Sequence, residues 1–186
     1  MFSIELEDRR KLLRHARDVI AASLGEKDEP EPPVLKTNIM CGAFVTLHRH
    51  GQLRGCIGRM YSPAPLADTV AEMARAAAFE DPRFPPVNAS ELADLEIEIT
   101  LLSPLAPIEP EAVRVGTHGL LISAFGRSGV LLPQVPVEYG WDRETFLAQV
   151  CRKAGLPPDA WKSPMAQLYG FEGFVFSEKE LEQNGA

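Results

Sequence analysis

Cysteine is scarce in this chain. Three occur in 186 residues: Cys41, Cys56 and Cys151. An odd, sparse set excludes a disulfide framework and fits a reducing compartment, so a cytoplasmic location is expected. Long hydrophobic runs are also missing. None approaches the about 20 apolar residues that cross a bilayer, and Met1 to Arg17 carries charges where a secretory signal would carry an apolar core. No membrane association is therefore expected. Positive charge is scattered: 19 Lys and Arg stand against 26 Asp and Glu, the formal net charge is -7, and there is no long basic run. Duplex binding draws on concentrated cations that neutralise phosphates, so nucleic acid is a disfavoured partner. Walker loops, the dinucleotide-binding glycine fingerprint and paired zinc-knuckle cysteines are absent. No cofactor and no metal centre is implied.

What is present suits a globular fold. Hydrophobic residues make up 45% and charged residues 24%, enough burial to offset the entropy of ordering the chain. The length fits one domain over residues 1–186, or two small lobes sharing a core. Leu12, Leu13, Ala16, Val19, Ile20 and Leu24 recur at helical spacing, with Ser3 as the cap and Gly25 as the stop. Residues 26–38 are acidic and Pro-rich and should form an exposed connection. Gly42 to Gly58 reads as a hairpin turning at His50-Gly51. A second helix spans Leu66 to Phe79 and cannot continue through Pro82, Pro85 and Pro86. Asn88 caps a short turn, and Leu95 to Leu101 alternates apolar and polar as a half-buried strand does. Gly119 to Phe125 and Val130 to Leu132 read as strands joined through Gly126 to Gly129. Asp142 caps a helix ended by Gly155, and Leu168 to Phe176 closes the fold as a strand. Hairpins without βαβ repeats predict an α+β fold, mainly antiparallel sheet with flanking helices.

Chemistry concentrates in Leu53-Arg54-Gly55-Cys56-Ile57-Gly58. Two glycines weaken a strand and mark a bulge or a close backbone approach. In a regular strand Arg54, Cys56 and Gly58 share one face, which sets a planar cation beside a thiol. A fixed cation favours the thiolate, the nucleophilic form. The alternative is a small buried cysteine and an arginine paired with a carboxylate. The arginine that a phosphatase loop places after its cysteine is missing; Ser62 stands there. Asp81 and Arg83 flank Pro82, where they either bind ligand or fix the loop. Glu96 and Glu98 project from the polar face of their strand, and Glu98 is a candidate base. Gln134 and Lys153 are further ligand-binding candidates. His48, His50 and His118 read as turn residues rather than metal ligands or bases, Cys151 as core, and Trp141 and Trp161 as packing residues.

These blocks resemble the AMMECR domain family. The resemblance runs through Gly42 to Leu47, Leu53 to Gly58, Ala76 to Phe84, Leu95 to Thr100, Leu131 to Val135, Gly140 to Asp142 and Cys151 to Leu156, in family order over roughly residues 6 to 178. It departs at Arg59, where the family has a small hydroxylated residue. Short prokaryotic members are similar to the A component of the AmmeMemoRadiSam system, which implies Memo-like and radical-SAM proteins as partners. The resemblance implies an α+β fold with a larger and a smaller lobe forming a cleft, and it brings no established activity. It leaves two readings. One is an enzyme or enzyme subunit that binds a small anionic substrate through Arg54, Gly55, Gly58, Asp81, Arg83, Gln134 and Lys153, with Cys56 as nucleophile and Glu98 as base. The other is a non-catalytic protein- or peptide-binding module.

Overall fold

The computed structural model describes residues 4–37 and 39–183. It is an α+β structure of antiparallel strands with flanking helices. The chain divides into two compact units, unit 1 (Met1–Leu102 and Phe174–Ala186) and unit 2 (Ser103–Gly173).

Unit 1 begins with α1 (Leu6–Ser23), whose residues Leu12, Leu13, Ala16 and Ile20 are buried. Ser3, the expected cap, lies outside the described residues; the helix starts after extended Glu5 and stops at Gly25, which adopts a φ of 77°. The stretch that follows holds no helix or strand and is mostly exposed, apart from Asn38, which lies outside the described residues. Side chains of α1 tie it down, among them Lys11, which donates to the Val34 carbonyl at 2.9 Å. Asp8, fully buried, accepts from the backbone N–H of Lys36 and Thr37 at 3.1 and 2.9 Å. β1 (Ala43–Arg49) and β2 (Gln52–Arg59) form the expected hairpin, and His50 and Gly51 turn it with φ of 52° and 76°. Both residues in the left-handed region is the geometry that matches strand twist in a two-residue turn. α2 (Leu66–Phe79) is alanine-rich and carries one buried stripe, Val70, Met73, Ala74 and Ala77. β3 (Leu95–Leu102) pairs antiparallel with β1. Ala43, Val45 and Leu47 of β1 and Ile97, Ile99 and Leu101 of β3 form one core with α1 and α2. Each buried Val, Leu or Ile side chain among them contributes about 1.5–3 kcal/mol.

Unit 2 has its own core. β4 (Ala106–Pro107) and β5 (His118–Ala124) both pair with β7 (Gln167–Ser177), and β6 (Arg127–Leu131) pairs with β5. The β5–β6 turn differs from expectation. Phe125 and Gly126 alone make it, with φ of 52° and 71°, and Arg127 to Gly129 already sit in the ladder. Position 129 of that strand is glycine because a side chain there would collide with the backbone of Ala154. α4 (Arg143–Lys153) is capped by the Asp142 carboxylate, which accepts from Thr145 N–H at 2.8 Å. Phe146, Leu147, Val150 and Cys151 are its buried face, and Trp141 and Trp161 pack against the same core. His118 opens β5, where its Nδ1 accepts from Arg114 N–H at 3.1 Å. Two short helices carry no clear sequence period: α3 (Gln134–Glu138) and α5 (Glu178–Gln183).

Candidate functional site

The hairpin is not regular. Leu53 pairs with His48 and Gly55 pairs with Leu47, so Arg54 is an extra residue in β2. A β-bulge of this kind re-aims a side chain and shifts the face of everything beyond it. Its consequence here is large. Gly55 turns to the core beside Leu47, and Cys56 comes opposite Thr46 on the polar face. Thr46 also pairs with Glu98 of β3, so Cys56, Thr46 and Glu98 stand in one row across three strands. All three are half-buried. The Thr46 hydroxyl donates to the Cys56 sulfur at 3.3 Å.

Arg54 does not join this row, which corrects the expectation of a shared face. Its Nε and Nη2 donate to both oxygens of Glu91 at 2.8 and 2.9 Å, and Nη1 donates to the Pro85 carbonyl at 2.9 Å. The pair is buried, with side chains 12% and 7% exposed. Each of the three Arg54 nitrogens thus already donates to an acceptor of the protein itself. Glu91 sits in the 3₁₀ turn Ala89–Asp94, where it closes a capping box with Asn88. The Arg54 guanidinium, helped by the Asn88 N–H, draws its carboxyl down to about 2 against the opposing effect of burial.

The glycines have steric reasons. A side chain at Gly55 would collide with the Ala77 carbonyl oxygen of α2, and one at Gly58 with the Phe44 ring. Both positions press β2 onto its neighbours. Asp81 and Arg83 face the free side of β2. The Asp81 carboxylate is buried and accepts from Cys56 N–H at 2.9 Å, from Arg83 N–H at 3.1 Å, and from Arg83 Nε and Nη2 at 2.9 and 2.7 Å. The Arg83 guanidinium beside it holds the Asp81 carboxyl well below the usual carboxylate range. Arg83 Nη2 donates to the Cys56 carbonyl at 3.1 Å, and the side chain is 54% exposed.

Unit 1 thus brings together Gly55, Cys56, Gly58, Asp81, Arg83 and Glu98. Gln134 and Lys153 belong to unit 2, where Gln134 opens α3 and Lys153 ends α4, both exposed. Arg59 pairs with Glu72. Cys41 and Cys151 are buried, and burial pushes the Cys41 thiol up to about 11. Among the described residues no group of three His, Cys, Asp or Glu side chains could hold a metal ion. No helix there is long and apolar enough to cross a membrane. Two residues of the site, Thr46 and Glu91, escape the sequence reading. For Glu91 a signal existed: Asn88 followed three residues later by Glu is a capping-box spacing.

The AMMECR1 family model matches residues 13–176. The chain belongs to the AMMECR1 family. Among its relatives are Protein MK0488 of Methanopyrus kandleri, 43% identical over 96% of this chain and 92% of that one, and Protein MJ0810 of Methanocaldococcus jannaschii, 41% identical over 95% and 93%. The crystal structure of uncharacterized protein PH0010 from Pyrococcus horikoshii is similar with a TM-score of 0.79 at 41% identity, covering 96% of this chain and 95% of that one. The LRGCIG segment of this AMMECR1 domain is thus a bulged edge strand with its thiol on the polar face of the sheet.

Proposed function

We propose that this AMMECR1-family protein is an enzyme, or the thiol-bearing subunit of one, that acts on a small anionic substrate through Cys56. The observation that carries this is the placement of the Cys56 sulfur, half-buried on a polar sheet face and accepting the Thr46 hydroxyl at 3.3 Å. A hydroxyl donating to sulfur stabilises the thiolate that attacks an electrophile. Glu98 is in register with Thr46 on the side away from Cys56, a carboxylate on the same face to serve as the base. Arg83, half-exposed beside Cys56, supplies the cation for the substrate anion; Arg54 is more buried and already paired with Glu91.

Two alkylating probes test this together. Cys56 should react with iodoacetamide below pH 9. Relative to glutathione, it should also favour the anionic probe iodoacetate over neutral iodoacetamide. A thiol unreactive up to pH 9 in folded protein contradicts nucleophilic chemistry. A reactive thiol with no preference for iodoacetate contradicts the anionic substrate.

A second reading, a docking module for Memo-like and radical-SAM partners, is favoured by Leu53. This side chain is 41% exposed and pairs with His48 on the polar face. Co-purification with either partner, lost in Leu53→Asp and kept in Cys56→Ser, supports docking without turnover.

A further inference from the structure

β2 pairs with β1 on one side, and among the described residues no strand lies on its other side. The peptide groups that point outward along such an edge are open to solvent or to another chain. At Cys56 they are closed by side chains. Asp81 accepts from the N–H at 2.9 Å and Arg83 donates to the carbonyl at 3.1 Å, and the two are locked to each other at 2.7 and 2.9 Å. Together they present one acceptor and one donor, as a residue of a neighbouring strand would. This ion pair is placed on the backbone of the residue that carries the thiol. On the other sides, the core face of β2 is pressed against Ala77 through Gly55, and the polar face is pressed by Phe44 at Gly58.

We infer that Asp81 and Arg83 are positioning residues for the Cys56 thiol: Asp81 holds the Cys56 peptide and orients Arg83, and Arg83 keeps a positive charge beside the sulfur. The inference rests on the thiol reading above and names what sets the thiol's reactivity. Three observations support it. Arg83 reaches Cys56 through its carbonyl. The charged form of Arg83 is favoured first by Asp81 and in smaller part by the Cys56 side chain itself. Asp81 is buried and, among the described residues, makes its charge-assisted bonds to Arg83 and the Cys56 N–H, so its geometry is fixed by the residues it orders. A cation held beside a thiol raises the thiolate fraction near neutral pH.

The test is the rate of iodoacetamide alkylation at Cys56 across pH 6 to 10, read by intact mass in the full chain, with thermal unfolding measured alongside. Arg83→Gln removes the charge from a half-exposed position and should leave the protein folded. It is expected to slow alkylation at pH 7.5 about fivefold, the size of one partly solvated opposite charge. At pH 10, where thiols ionise without help, the two rates should converge. Arg83→Lys keeps the charge and loses the fork, and should recover part of the rate. Asp81→Asn leaves Arg83 unanchored and should slow the reaction in the same pH-dependent way. Equal rates for wild type and Arg83→Gln at every pH overturn the inference while leaving the thiol reading intact. If Arg83→Gln does not fold, Arg83→Lys decides: a wild-type rate at pH 7.5 supports charge placement, and a slowing that persists at pH 10 overturns it in favour of a structural role. A wild-type thiol that never reacts removes both readings at once.

Discussion

Gly55 shows how little room the site has. Its Cα faces the Ala77 carbonyl of α2, a backbone atom that cannot swing aside. Gly55→Ala should therefore destabilise the protein by about 1–3 kcal/mol, the usual cost of overpacking, measured by urea unfolding. A variant as stable as wild type would show that β2 and α2 can separate without cost. The same closeness bears on Cys56, whose backbone shifts if Gly55 is displaced. Cys56 itself shows the limit of reading residues singly. Its setting between glycines and near arginines draws attention to this strand, but a regular strand would put Arg54 on its face, and the structure does not. Arg54 is adjacent in sequence and turned away to Glu91; Arg83 is distant in sequence and bonded to the Cys56 carbonyl.

The β1–β2 hairpin explains that difference. Counting back from the His50-Gly51 turn without a bulge sets Cys56 opposite Val45, on the buried face. One extra residue, Arg54, sets it opposite Thr46 instead. The two glycines signal a bulge or a close approach but do not place the insertion at Arg54, whereas the period of β3, the span of α2 and the caps at Asn88 and Asp142 were legible because side-chain spacing alone specifies them. The bulged Arg54 also makes the hairpin's stability depend on the 3₁₀ turn that carries Glu91. Glu91 binds fewer protons in the folded chain than in the unfolded one, where it titrates near ~4.3. Its stabilisation is thus complete above that pH and is lost as pH falls through about 2. Glu91→Gln should cost about 3 kcal/mol at pH 7 by stranding a buried guanidinium, and the variant's stability should fall less steeply with acid. A slope equal to wild type below pH 5 would contradict the pairing as the source.

α1 and α2 carry a second pH dependence. His15 is 5% exposed, and its Nε2 is buried with no hydrogen-bond partner among the described residues. Desolvation lowers its pKa, and Arg75 of α2 adds to this; Asp18 on its own helix, Asp68 of α2 and Glu29 of the connection oppose it. The folded chain thus keeps His15 neutral where the unfolded chain protonates it. Stability should fall as pH drops below about 6.5 and level off below the folded value. Denaturant unfolding between pH 7.5 and 5 reads this. His15→Leu should remove that component, and an unchanged pH profile would exclude His15 as its source.

At the scale of the whole molecule, the three cysteines divide by environment. Cys41 belongs to the core of unit 1 and Cys151 to that of unit 2, each at most 3% exposed. Cys56 alone among them stands on a polar sheet face, with its peptide clamped from the edge and its sulfur bonded to a hydroxyl. The sheet, the bulge and the clamp converge on that one thiol, and the account stands or falls with its accessibility. A short iodoacetamide pulse on the native chain at pH 8, followed by peptide mapping, measures it directly. The account predicts modification at Cys56, with Cys41 and Cys151 labelled only after unfolding. Protection of Cys56 equal to that of the two core cysteines would contradict it.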